Sequence, residues 1–245
     1  MISVDQAIKI VKENVTNTNF KELLPTKNSL GYVLSEDLFS PINMPPFRQS
    51  AMDGYAVNTQ KLNSYNIVGE VKAGDAINPK LNKGEGVRIF TGAAVPDDAN
   101  AVVMQEKVER NNNIITITSV IKDQENIRPL GEQIQKGEKA LLKGTKLTPS
   151  GIGYLLSLGI TEVEVFKKPS VGIVVTGSEL IESGKPLKHG QIYESNGAML
   201  HSALIELGFN TITLYNTDDN FENTKSVIND SITNNDLVLI SGGIS

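Results

Sequence analysis

The six residues Val171-Gly172-Ile173-Val174-Val175-Thr176 constrain the fold more than any other stretch of this chain. A strand without polar alternation belongs to a sheet covered on both faces. The residues after it set the layout. Residues 197–207 read as a helix ending at Gly208, 210–215 as a strand, 220–233 as a second helix, and 237–241 as a third strand. This β-α-β-α-β order predicts a parallel sheet with right-handed crossovers. Ligands of such sheets bind beyond the carboxyl ends of the strands. Those ends read Thr176-Gly177-Ser178-Glu179, Asn216-Thr217-Asp218-Asp219 and Ser241-Gly242-Gly243. Topology therefore gathers Glu179, Asp218, Asp219 and a Gly-Gly turn on one rim. The turn suits close backbone approach to a phosphate, although it matches neither a Walker loop nor a dinucleotide fingerprint. The helix after Tyr193-Glu194-Ser195-Asn196 offers free N–H groups and a positive dipole end to an anion. Plainer readings stand beside these: Asp219 and Asn196 also suit helix caps, and His189 and His201 read as surface or packing residues. If the carboxylates do face a phosphate, a hard divalent cation must lie between them, and Mg2+ is the natural choice.

The first two thirds carry different signals. Ser3 and Gln6 form a capping box, and Val4, Ile8, Val11 and Val15 recur at helical spacing, so 4–15 is expected to be an amphipathic helix presenting a packing surface. A strand is expected over 32–39, then an extended passage marked by Pro41, Pro45 and Pro46. Short β segments around 65–73, 87–91, 101–110 and 114–120, with Asn111-Asn112-Asn113 as a hairpin turn, predict a small barrel-like β domain over 44–130. Within it, Asp53-Gly54 reads as a hairpin turn and Thr91-Gly92 as the turn closing a strand. Thr148-Pro149 starts a helix that Gly159 ends, and 160–166 is a strand.

Composition excludes several classes. The chain has no cysteine and two histidines, which removes thiolate and multi-histidine metal sites and any cysteine nucleophile, and fits a reducing, cytoplasmic setting. Net charge is 23 − 28 = −5 without a basic block, so no nucleic-acid partner is expected. No apolar run is long enough for a leader or a membrane span, so no membrane association is expected.

The stretch Pro45-Pro46-Phe47-Arg48-Gln49-Ser50-Ala51-Met52-Asp53-Gly54-Tyr55-Ala56 closely resembles the MoeA/gephyrin E-domain family, the molybdopterin molybdenumtransferases. The resemblance continues at Arg88-Ile89-Phe90-Thr91-Gly92-Ala93-Ala94-Val95-Pro96, Ala101-Val102-Val103-Met104-Gln105-Glu106 and Asn126-Ile127-Arg128-Pro129-Leu130-Gly131-Glu132. It resumes at Gly177-Ser178-Glu179-Leu180, Gln191-Ile192-Tyr193-Glu194-Ser195-Asn196 and Ser241-Gly242-Gly243-Ile244-Ser245. It implies a multidomain α/β plus β fold: an elongated α/β domain from 1–43 and 131–168, an inserted β domain at 44–130, and an incomplete molybdopterin-binding α/β domain at 169–245. It also implies a homodimer whose active site lies between the α/β domain of one subunit and the N-terminal domains of the other. The implied reaction is molybdenum cofactor biosynthesis: Mg2+-dependent insertion of molybdate into adenylylated molybdopterin with release of AMP. A molybdopterin adenylyltransferase is an implied partner. By motif, the family's catalytic positions fall on Asp53, Thr91, Glu179 and Asp218, with Glu179 and Asp218 as metal ligands and Thr91 as a hydroxyl donor to a phosphate or molybdate oxygen. Substrate-binding positions fall on Gly177, Ser178, Ser195, Asn196, Asp219, Ser241, Gly242 and Gly243.

Two departures matter. Gln133 stands where the family usually has Asp, and relatives continue after Ser-Gly-Gly-x-Ser with Gly-Asp and molybdate-holding lysines, where this sequence stops at Ser245. The chain is therefore expected to be C-terminally truncated and to turn over little by itself. Competing readings are a non-catalytic binding or scaffold module, and another enzyme with a molybdopterin-binding-like domain, such as a CinA-type nucleotide hydrolase or an adenylyltransferase. The blocks between 44 and 106 argue against the last.

Overall fold

The computed structural model describes residues 2–15, 19–59 and 62–242. The chain divides into two compact units, one formed by Met1–Ser35, Lys146–Thr148 and Val163–Ser245, the other by Glu36–Thr145 and Pro149–Glu162. The fold is mixed α/β.

In the first unit, helix α1 spans Val4–Asn14 and opens with the expected capping box: the Ser3 hydroxyl accepts the Gln6 N–H at 3.2 Å and the Gln6 side chain accepts the Ser3 N–H at 3.0 Å. Its apolar stripe is uncovered, with Val4, Ile8, Val11 and Val15 at 76%, 47%, 58% and 62% exposure. Strand Glu162–Phe166 lies between strands Lys21–Pro25 and Val33–Leu34. The strand expected over 32–39 is two short ones, Val33–Leu34 and Leu38–Phe39, because their partners differ: the first pairs with 165–166 and the second with 139–141.

The last third forms the parallel sheet expected from its sequence. Val171–Thr176 is the central strand, flanked by Ile212–Thr217 and Leu237–Ser241, both parallel to it. Helices α3 (Asn196–Glu206) and α4 (Phe221–Asn234) are the crossovers. Val171, Ile173 and Val175 pack with Leu204 of α3, while Val174 alternates to the other face, also fully buried. Each such side chain contributes roughly 1.5–3 kcal/mol through burial, which is why the strand tolerates no polar alternation.

In the second unit, a six-stranded sheet runs in the order Ala101–Met104, Gly54–Val57, Glu85–Ile89, Ser64–Val71, Ile114–Ile117, Val108–Asn111. Its first and last strands are not bonded to each other, so the ladder is not a ring. Ala56, Val87 and Val102 belong to one buried cluster and Tyr55, Val57, Ala101 and Val103 to another, so both faces of the strands are covered. Asn112, at φ 55°, makes the expected hairpin turn between the last two strands. The segment read as one strand over 101–110 is broken by a 3-10 turn at Gln105–Lys107, which begins where the Gln105 N–H makes the last bond to the neighbouring strand, to the Asp53 carbonyl at 3.2 Å. Helix α2 covers Pro149–Ser157.

Candidate functional site

The carboxyl edge of the parallel sheet opens into a cleft of about 600 Å³, lined by Gly177, Ser178, Glu182, Glu194, Thr217 and Asp218 among others. Two loops are tied together at its floor. The Ser178 N–H donates to the Asp219 carboxylate at 3.0 Å, and the Asp219 N–H donates to the Ser178 hydroxyl oxygen at 3.2 Å. The Ser178 oxygen thus accepts, and its own proton is left to donate into the cleft. The Asp218 carboxylate accepts the Asn220 N–H at 3.2 Å and the Asn223 side-chain amide at 3.1 Å on each oxygen, while Asn220 caps α4. Asp218 therefore both organises the start of α4 and lines the cleft. Asp219, one of the substrate-binding residues expected from the resemblance, does not line it; it holds the Ser178 loop.

Gly242 continues the rim at φ 112°, packed so closely on Thr176 that a Cβ would run into that residue's side chain and carbonyl. The buried Thr176 hydroxyl has no hydrogen-bond partner among the described residues. Gly243 lies outside the described residues. Asn196 begins α3 and reaches across to the Ser241 hydroxyl at 3.2 Å. The cap of α3 comes instead from Glu194, whose carboxylate accepts the Gly197 N–H at 2.7 Å; Ser195, at the N-cap position, makes no side-chain cap. Glu179 is exposed and does not line the cleft. Its carbonyl accepts the Ile192 N–H at 3.0 Å, helping to fix a small arm in which Leu180–Ile181 pairs with Ile192–Tyr193.

Sequence reasoning missed Glu182 and Glu194 as cleft residues. The arm that carries them has two-residue strands, too short for any periodicity to register. Glu182 is paired with Lys185 at 2.7 Å, which holds its carboxyl below the usual glutamate range. Among the described residues no three His, Cys, Asp or Glu side chains gather as a metal site.

The second unit brings Asp53 and Thr91 into direct contact. One Asp53 oxygen accepts both the Thr91 N–H at 2.7 Å and the Thr91 hydroxyl at 2.8 Å. These bonds, the backbone one first, hold the Asp53 carboxyl below its ordinary value, with the Arg88 charge adding to them. Both residues are exposed. The hydroxyl proton of Thr91 is committed to Asp53, so toward any other group Thr91 presents lone pairs; the donor role expected from the resemblance is not the one this arrangement offers. The contact rests on backbone pairing: Ser50 donates to the Ala93 carbonyl and Gly92 donates back to Ser50, each at 2.9 Å. Arg88 lies 5.1 Å from the Tyr55 ring and 5.0 Å from the Phe90 ring, and donates to the Gly54 carbonyl at 3.0 Å. Asp53-Gly54 is not a hairpin turn: Gly54 starts a central strand, where a Cβ would collide with the Val103 carbonyl. Gln133, the departure from the family pattern, is exposed and donates its N–H to the Met44 carbonyl at 2.9 Å.

Residues 2–159 match the family model described as "MoeA N-terminal region (domain I and II)", and 172–245 match "Probable molybdopterin binding domain". The chain is 37% identical to a molybdopterin molybdenumtransferase of Haemophilus influenzae over 249 aligned residues, covering all of this chain and 62% of that protein. It is 33% identical to one from Staphylococcus epidermidis, covering all of this chain and 60% of the relative. A crystal structure of the molybdopterin biosynthesis MoeA protein from Pyrococcus horikoshii OT3 superposes with a TM-score of 0.87 at 34% identity, over 98% of this chain and 66% of that one. The chain thus spans about three fifths of the length of the curated relatives it matches. With one model covering well over half of its residues and a second covering most of the rest, the chain belongs to the MoeA family.

Proposed function

We propose that this chain supplies part of a molybdopterin molybdenumtransferase, acting in molybdenum cofactor biosynthesis by inserting molybdate into adenylylated molybdopterin with release of AMP. The observation that carries this reading is the cleft at the carboxyl edge of the parallel sheet, with the Ser178 hydroxyl proton and the Asp218 carboxylate both facing it. Ser178 donates to a phosphate oxygen of the ligand, and Asp218 orients water or cation against the same phosphate. On this reading 1–43 with 131–168, 44–130, and 169–245 are three domains. The protein is then a cytoplasmic homodimer, for which the uncovered apolar face of α1 is the support within the chain.

The donor set suits Mg2+. The cleft offers oxygen donors, with Asp218 and Glu194 as carboxylates held by neutral partners, and Mg2+ commonly takes one or two carboxylates and completes its shell with water and phosphate oxygens. Asp218 would hold the ion; Glu179, the other ligand expected from the resemblance, stands outside the cleft. When bound the ion supplies neutralisation of the charge that develops as the phosphate–phosphate link breaks.

The test is AMP release and molybdenum incorporation from adenylylated molybdopterin, measured on the polypeptide as the cell makes it. Asp218→Asn is expected to lower the rate by about 10²–10³, the loss typical of one transition-state group. A protein that binds the ligand but releases no AMP at any Mg2+ concentration would return the family member to a binding role.

A further inference from the structure

The amino-terminal edge of the parallel sheet, opposite the cleft, carries a second cavity. It encloses about 290 Å³ between Tyr32, Phe166 and Phe209 and is bordered by Lys146, Lys167 and Lys168. Two separate pieces of backbone bring the lysines there. Lys146 forms a β-bridge opposite Val33, and the next residue, Leu147, donates to the Tyr32 carbonyl at 2.8 Å. Lys167 comes directly after strand Glu162–Phe166 and donates its N–H to the Phe20 carbonyl at 2.9 Å. Lys168 crosses to the end of α3, where its ammonium donates to the Gly208 carbonyl at 2.7 Å and sits 4.3 Å above the Tyr32 ring.

The Lys168 contacts alone have a structural explanation, since a cation at a helix C-terminus is favourable. Lys146 and Lys167 have no side-chain hydrogen bond, and none of the three forms a salt bridge, among the described residues; the opposing charges are Asp236, whose carboxyl the Lys167 charge helps to hold below its ordinary value, and Glu22, which acts on Lys168. In a chain of net charge −5, three such cations around one cavity are a local inversion of the field. Lys146 and Lys168 repel each other. Burial first, then repulsion from Lys146, holds Lys168 below the ordinary lysine value, with Glu22 opposing. An anion placed between the ammonium groups relieves that repulsion.

We propose that this cavity is an anion site for a phosphate group, either inorganic phosphate or the phosphate of a small molecule whose planar part packs on Phe166 and Phe209. The lysines provide charge-assisted donors at its border. The site is distinct from the cleft at the carboxyl edge and does not depend on the reaction assigned there.

Calorimetric titration with inorganic phosphate and with AMP, at ionic strength held constant with chloride, tests it. Lys146→Ala and Lys167→Ala are each expected to weaken phosphate binding by about tenfold, the equivalent of one charge-assisted contact. Both side chains are exposed, so the variants should keep the wild-type melting temperature. Lys146→Arg should retain binding, as should Lys80→Ala in the other unit. AMP binding tighter than phosphate identifies a phosphorylated small molecule as the ligand; binding equal to or weaker than phosphate identifies the free ion. Carbon-detected titration of the Lys168 side chain should show its pKa rise when phosphate is added. No binding beyond that of chloride, or binding unchanged in both alanine variants, overturns the proposal.

Discussion

The Ser178–Asp219 pair at the sheet edge and the Thr91–Asp53 pair in the second unit use the same residue types, a hydroxyl beside a carboxylate, and end with opposite proton inventories. At the sheet edge the bonds run both ways: the carboxylate takes the serine N–H, and the serine oxygen takes the aspartate N–H. The hydroxyl proton stays available. In the second unit both the N–H and the O–H of Thr91 go to one oxygen of Asp53, leaving a hydroxyl that only accepts and a carboxylate held ionised. Motif matching assigns the two hydroxyls similar work. On the function proposed above, phosphate donation falls to Ser178, while Thr91 fixes the charge of Asp53.

Substitutions can break or sharpen this contrast. The largest effect is expected from Asp218→Asn, read as the rate of AMP release. Gly54→Ala comes next, because its Cβ meets the Val103 carbonyl of the neighbouring strand. Overpacking of this kind costs about 1–3 kcal/mol, which in a chain of this size lowers the melting temperature by roughly 2–4 °C per kcal/mol. An unchanged melting temperature would mean that the strand can shift, and Asp53 with it. Ser178→Ala should weaken binding of adenylylated molybdopterin by about tenfold, as expected for one lost charge-assisted bond, while Thr91→Val should change that affinity by less than about twofold. Equal losses would erase the distinction.

The smallest effect is on acidity. Asp53 has a depressed pKa in the folded protein, so its stabilising contribution is present above the unfolded value of about 3.9 and disappears as pH falls through the folded value. Thr91→Val removes the hydroxyl bond and keeps the backbone one. The Asp53 carboxyl resonance should then titrate at higher pH than in the wild type, though still below an ordinary aspartate, and acid unfolding should begin at slightly higher pH.

The two units differ in how much of them is legible in the sequence, and the reason is physical. In the last third, local signals dominate: an uninterrupted apolar strand and helices stopped by Gly208 and opened by Asn220 each fix one element, and strand-end topology then fixes the rim. In the second unit, position depends on long-range pairing that no local pattern records. Asp53-Gly54 looks like a turn because Gly is so common there, yet this glycine is required by the approach of the Val103 carbonyl from a strand far along the chain. The contact between Asp53 and Thr91 is recorded by no local pattern, and neither is its donor–acceptor sense. Glu194 stands three residues before Gly197, but its capping role cannot be told by sequence from those of Ser195 and Asn196 beside it.

That the cleft at the carboxyl edge of the parallel sheet holds the substrate's phosphate is tested most directly by a crystal structure with adenylylated molybdopterin bound. The expected result is a phosphate oxygen within hydrogen-bonding distance of the Ser178 hydroxyl, with Asp218 facing the same phosphate directly or through Mg2+ and water. A ligand seated elsewhere on the protein, with Ser178 and Asp218 still bonded only to their present neighbours, would contradict it.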